Sequence, residues 1–157
     1  MSAPQPVVQQ PIASQGMIVN PKNSLNKPDI NGEGREWSYD LLDCNNGGTF
    51  CKAWWLPCIV YGSNTGRLSY LERNSSPDPD HGGVCSCNCC LYNCCGAVFQ
   101  ITNRAHIRDR YGIKGDFCTD CLASCFCTPC ALTQEEAEID LEEKALIRQQ
   151  VELSQKA

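Results

Sequence analysis

Hydrophobic positions fall in three blocks along this chain, each closed by a polar or glycine-rich break. Trp37 to Cys44 opens the ordered region, and Asn45-Asn46-Gly47-Gly48 reads as a turn. Phe50 to Tyr61 is apolar apart from Lys52, and is too short to cross a bilayer as a straight helix. Gly62-Ser63-Asn64-Thr65-Gly66 is expected to break it, with a short helix from Arg67 to Arg73. Asn74 to Gly83 holds Pro77, Pro79, Gly82 and Gly83 and predicts a loop. From Val84 to Asn103 the chain carries no charge. Arg104 to Tyr111 continues with helical character and a basic face, and Gly112 supplies a stop. The third block is Cys118 to Cys130.

A last helix is expected to begin at Thr133, where Thr133-Gln134-Glu135-Glu136 fits a capping box. Acids crowd its first turns, while Lys144 and Arg148 come later, which suits the helix dipole. Asp140 and Lys144 sit one turn apart as a surface pair. Ile139, Leu146 and Leu153 recur every seven residues, a thin stripe that predicts a solvated helix with one sticky edge. Before Trp37 the pattern is different. Residues 1–35 carry Pro4, Pro6, Pro11, Pro21 and Pro28 among Gln, Asn and Ser, with no acid or base before Lys22. So little apolar surface does not offset backbone entropy, and a disordered arm is expected over 1–35. A cysteine-rich domain follows over 36–138, and 139–157 form the end of the acidic C-terminal helix and the tail. The expected fold is a small, mainly α-helical, cysteine-rich domain with irregular loops stapled by metal or thiols.

Composition changes the picture through cysteine. The chain has 157 residues and fourteen cysteines, all between Cys44 and Cys130. That density points to disulfides or metal–thiolate bonds in place of a large core. Residues 1–20 lack a secretory pattern, and Met1-Ser2 excludes N-myristoylation, so the default compartment is reducing and metal is favoured. A net charge of −5 argues against a nucleic-acid partner.

Cys118-x-x-Cys121 and Cys127-x-x-Cys130 together offer four thiolates to a tetrahedral ion, zinc above all. Only five residues separate the pairs, so either the turn is tight or one pair shares its ion with another segment, for which Cys44 and Cys58 are taken as further ligands. Soft thiolates favour zinc or cadmium over magnesium or calcium. Other cysteines read differently. Cys90 and Cys95 are expected to pack as small hydrophobes, yet Cys89, Cys90, Cys94 and Cys95 are also lipidation candidates. Cys127-Thr128-Pro129-Cys130 has a redox spacing without a surrounding βαβ pattern. His81 and His106 read as solvated or packing residues. Trp54 and Trp55 suit an interfacial membrane anchor or a core aromatic pair. The apolar stretch holding Leu91, Val98 and Phe99 suits a segment dipping into lipid, with Arg104, Arg108 and Arg110 meeting anionic headgroups; a basic face in water is the alternative.

Cys118-Thr119-Asp120-Cys121-Leu122 with Phe126-Cys127-Thr128-Pro129-Cys130-Ala131-Leu132-Thr133-Gln134-Glu135 resembles the placenta-specific-eight cysteine-rich family, which includes plant cadmium-resistance proteins, cell-number regulators and cornifelin. Arg108 to Ile113 resembles that family's Leu-Arg-x-x-Tyr-Gly-Leu segment, and Trp37 to Cys44 its opening motif. The likeness covers about residues 36–138. One departure stands out: the first Cys-x-Pro-Cys motif is Trp55-Leu56-Pro57-Cys58 here, one cysteine short. The resemblance implies a membrane-associated protein, often at the plasma membrane, that self-associates, and it implies no enzyme activity. It also implies links to divalent metal handling and to growth control. The expected function is soft-metal binding in tolerance or transport. The alternatives are a non-enzymatic interaction protein with structural zinc, contacting a partner through 131–155, and a cytoplasmic location.

Overall fold

The computed structural model describes residues 20–43, 46–83 and 87–156, without the side chains of residues 87, 88, 91, 93 and 156. Five α-helices make up the described chain: α1 Gly47–Trp55, α2 Pro57–Asn74, α3 Cys87–Tyr111, α4 Phe117–Phe126 and α5 Thr128–Lys156. Pairing between extended segments is limited, among the described residues, to isolated bridges at Arg35. The fold is thus mainly helical, as the pattern predicts.

Three residues interrupt the helices with nearly the same backbone. Leu56 between α1 and α2 has φ −137° and ψ 60°. Cys95 inside α3 has φ −142° and ψ 45°. Cys127 between α4 and α5 has φ −141° and ψ 71°. The Leu56 amide donates to the Lys52 carbonyl at 2.7 Å, and the Cys127 amide to Ala123 at 3.1 Å, so each incoming helix closes its last turn before the bend. Pro57 sits at the first position of α2, where its missing N–H costs no ladder bond.

Beyond the kinks, α2, the long half of α3 and α5 run side by side in one direction. Counted from each kink, they place matching residues at matching heights. First come Tyr61, Gln100 and Leu132, then Asn64, Asn103 and Glu135, then Leu68, Ile107 and Ile139, all buried. The first layer is tied by Tyr92 Oη donating to Gln100 Oε1 at 2.8 Å and by the Tyr61–Tyr92 ring contact at 4.8 Å. The third layer joins Leu71, Tyr111 and Ile113 in an apolar cluster against which Trp37 and Leu146 pack. α1 and α4 flank this core and lead into their kinks.

Several expectations are corrected. Residues 62–66 do not break the helix: α2 runs through them, with Gly62 and Asn64 buried. Packing overrides propensity there. The Asn64 amide donates to the Leu132 carbonyl at 3.1 Å, and the predicted 74–83 loop folds back so that Gly82 lies against Ser63 and Gly66. The last helix starts at Thr128 rather than Thr133, whose hydroxyl instead donates back to the Pro129 carbonyl at 2.7 Å. A capping box does occur, at α4: Asp116 Oδ1 accepts from the Thr119 amide at 2.9 Å, and Thr119 Oγ1 accepts from the Asp116 amide at 3.1 Å. Gly112, at φ +62°, ends α3 as expected.

The arm expected over 1–35 divides. Residues 1–19 lie outside the described residues, whereas 20–35 fold onto the helices. Arg35 is buried. Its amide donates to the Gly112 carbonyl at 2.8 Å, and its guanidinium meets Glu138 Oε2 at 2.9 Å.

The acidic last helix is not simply solvated. Glu135, Glu138, Glu142 and Glu143 are all buried. Arg67 of α2 forks onto Glu143 and lies 3.6 Å from Asp140. Arg110 and the Tyr111 hydroxyl both donate to Glu142, at 2.8 and 2.6 Å. Buried carboxylates persist only when matched by such partners. Asp140 and Lys144 do form the predicted surface pair, at 2.6 Å.

Candidate functional site

The kinks gather at one end of the three-helix core, and that end carries the unusual side chains. Trp54 is 63% exposed, Trp55 80% and Phe126 84%, with Leu56, Leu122 and Val98 also exposed. The indoles are therefore not a core pair. They cap α1 where it meets the bend, with Phe50 tilted 6.2 Å from Trp54. Phe99 is half-buried, and the Leu91 side chain lies outside the described residues. No helix among the described residues is long and apolar enough to cross a membrane.

The expected basic contact with headgroups is absent from this surface, because the arginines point inward. Arg104 is buried between Asp120 at 3.3 Å, Glu135 at 3.7 Å and the Trp37 ring at 4.1 Å. Arg108 forks onto Asp120 at 2.8–3.1 Å. Arg110 is spent on Glu142. Local pattern makes these residues a basic face; long-range acids on α4 and α5 turn them into internal ties.

The cysteines separate into groups. Cys127 and Cys130 are joined in a disulfide across the α4–α5 kink, with Cys130 buried. Cys118 and Cys125 are exposed and Cys121 half-buried along α4. Cys121 Sγ and Cys125 Sγ approach to 3.9 Å. That contact, followed by burial and the charges of Cys125 and Cys118, raises the Cys121 thiol above its ordinary pKa. Cys58 is half-buried against the Ala53, Val60, Tyr61, Tyr92 and Leu132 cluster. Cys44 lies outside the described residues. Cys89 is buried, whereas Cys90, Cys94 and Cys95 are exposed, so Cys90 and Cys95 do not pack as expected.

The four proposed ligands Cys118, Cys121, Cys127 and Cys130 are thus not brought together as four thiolates. Among the described residues no three His, Cys, Asp or Glu side chains are grouped to hold an ion. A resident tetrahedral zinc needs four such donors, and this arrangement does not fit one. His106 reaches Glu72 at 3.2 Å on the surface, and His81 is exposed in its loop.

Sequence reasoning missed the polar layer behind the kinks. Glu135 is fully buried, and Asn103 donates to its Oε2 at 3.2 Å. Its Oε1 and Asn64 Oδ1 lack a hydrogen-bond partner. Burial outweighs the attraction of Arg104 and pushes Glu135 up to about 7. Burial also pushes Tyr92 up to about 12, with Glu135 adding to it. The signal was present: Leu132, Glu135, Ile139, Glu142 and Leu146 share one helical stripe, so acids lie on the apolar face.

The family model described as PLAC8 family matches residues 37–138. Protein PLANT CADMIUM RESISTANCE 2 of Arabidopsis thaliana is 31% identical over 114 residues, which is 72% of this chain and 70% of that protein. Protein PLANT CADMIUM RESISTANCE 1 of the same plant is 32% identical over 114 residues, 72% of this chain and 71% of its own length. Cell number regulator 10 of Zea mays is 30% identical over 105 residues, 66% of this chain and 64%, just under two thirds, of that protein. No solved structure matches.

Proposed function

The chain belongs to the PLAC8 family, and on that premise we propose that it is a membrane-associated protein that captures soft divalent metal, zinc or cadmium, in metal tolerance or transport. The supporting observation is the pairing of exposed indoles and exposed thiols at one end of the molecule. Trp54, Trp55, Leu56 and Phe126 would settle at the headgroup level, where amphipathic rings are favoured. That would hold Cys118, Cys121 and Cys125 beside the plasma membrane. Two relatives carry cadmium resistance in their names. Opening the Cys127–Cys130 disulfide would return two more thiolates to the same junction, which is the state in which a four-sulfur set becomes available. No catalytic role is assigned, and self-association through the same apolar end is part of the reading.

The test uses reduced protein in vesicles. Changing Cys121→Ser together with Cys127→Ser is expected to lower bound cadmium per chain and the cadmium tolerance of expressing cells in parallel. Bound metal at wild-type stoichiometry would overturn the assignment.

A second reading has its own support. Ile147, Val151 and Leu153 are exposed along the far half of α5, an edge suited to a protein partner. Here the output is growth control through that contact, as the name of the maize relative suggests. Removing residues 147–157 discriminates: loss of phenotype with intact metal binding favours the partner, and surviving cadmium tolerance favours capture.

A further inference from the structure

Cys118, Cys121 and Cys125 occupy one face of α4, at successive turns. Two of them already touch: the Cys121 and Cys125 sulfurs lie 3.9 Å apart, both free and reachable from solvent. The helix that carries them is fixed independently of any ligand. Its first turn is closed by the Asp116–Thr119 capping box, and Asp120 is gripped by Arg104 and Arg108. The pair is therefore a preorganised dithiol, which lowers the ordering cost of chelation.

What two sulfurs can hold differs from what four can. A tetrahedral zinc or cadmium ion wants four donors, and no third His, Cys, Asp or Glu completes a set here among the described residues. Trivalent arsenic is thiophilic, binds sulfur covalently and is satisfied by three bonds in a trigonal pyramid, with its lone pair at the apex. Two sulfurs from one side of a helix leave its third bond facing water.

We propose that Cys121 and Cys125 form a chelating site for trivalent arsenicals. The reaction is an exchange without redox change. Arsenous acid loses two As–OH groups, two As–S bonds form, and each thiol proton leaves in a water molecule, so that As(OH)3 and two thiols give the dithiolate As–OH and two waters. An organoarsenic oxide reacts likewise, its As=O oxygen leaving as one water with both thiol protons. Its organic group holds the third bond, so Cys118 is not required. The assignment is separate from cadmium capture: it uses two ligands instead of four, and of the sequence-derived set Cys118, Cys121, Cys127 and Cys130 it uses only Cys121.

Phenylarsine oxide tests it, on full-length protein handled without reductant so that Cys127–Cys130 stays closed. The expected result is one phenylarsenic per chain, two thiols lost to alkylation, and the adduct mapping to Cys121 and Cys125. Cys125→Ser, whose side chain is exposed and leaves helix content unchanged, is expected to weaken binding about 100-fold through loss of the second tether. Cys118→Ser leaves it as it was. Wild-type affinity in Cys125→Ser, or an adduct on Cys89 to Cys95, overturns the proposal. Cadmium run on the same variants after reduction separates the two readings: arsenical bound without cadmium sinks only divalent capture, and cadmium without arsenical sinks this site.

Discussion

The two ends of the three-helix core solve different problems. At the far end, Arg35, Arg67 and Arg110 meet Glu138, Glu143 and Glu142, with the Tyr111 hydroxyl joining the last pair. Charges there are buried and each is matched, and they join α2, α3, α5 and residues 20–35. At the kink end the exposed groups are indoles, Phe126 and thiols, and polar ties such as Tyr61 to the Phe99 carbonyl and Gln100 to the Thr128 carbonyl are made between uncharged groups. The kinks themselves do not depend on cysteine. Leu56 adopts the backbone that Cys95 and Cys127 adopt elsewhere, in the very motif that lacks a cysteine. The buried ion pairs and the exposed thiols are thus spatially separated.

The sharpest way to break that contrast is to cut a far-end pair. Glu138→Ala leaves Arg35 buried without its carboxylate, and also removes the acceptor of the Ser38 amide and hydroxyl. A loss of about 3–5 kcal/mol is expected in urea unfolding. A cost under about 1 kcal/mol, typical of exposed sites, would mean that the far end is not what holds the fold.

The layer between the two ends gives a pH signature. Glu135 ionises near 7 when folded against an ordinary value of 4.5. The folded chain therefore holds a proton that the unfolded chain has released. Stability from this group is fully present below about pH 4.5 and is lost as pH rises through about 7, by roughly 3 kcal/mol in all. Glu135→Gln is expected to flatten the pH dependence of unfolding across that window. An unchanged slope would remove Glu135 as its source.

Gly82 marks a rigid crossing at the height of that middle layer, where the 75–83 loop meets α2. Its φ is +81°, and an added Cβ would run into the Ser63 backbone, its carbonyl oxygen first. Gly82→Ala is expected to cost about 1–3 kcal/mol through backbone strain and displacement of the 75–83 loop from α2. A neutral result would show that the loop moves freely off Ser63.

How far the sequence announced all this follows the same division. Short-range signals were readable: the 74–83 loop, the Gly112 stop, the Asp140–Lys144 pair and the mainly helical class. The family resemblance was readable too, because Cys118 to Glu135 is contiguous. What escaped depends on distant partners. Gly62 to Gly66 looks like a break until Leu132 and Gly82 pack against it. Glu138 looks solvated until Arg35, over a hundred positions away, reaches it. Arg104 and Arg108 look like a lipid-facing patch until Asp120 and Glu135 are placed beside them. Cys125 was passed over because motif spacing draws attention to CxxC, although its one-turn offset from Cys121 is a local signal.

The smallest stability effects belong to the kink end, and they sharpen the comparison by being small. A disulfide closing so short a loop as Cys127–Cys130 restricts the unfolded chain by at most about 2 kcal/mol. Since Leu56 holds the same bend without a disulfide, Cys127→Ser with Cys130→Ser is expected to keep native circular dichroism and to lose no more stability than that. Trp54→Ser with Trp55→Ser removes side chains that are mostly in solvent, so unfolding should shift by no more than about 0.5 kcal/mol. Binding to phospholipid vesicles, read by co-sedimentation, should nevertheless fall severalfold if the indoles are the interfacial anchor. Equal sedimentation of variant and wild type would detach this end from the membrane. The exposed apolar residues there would then have to answer to another copy of the chain, which a concentration series by analytical ultracentrifugation on the same two proteins would register.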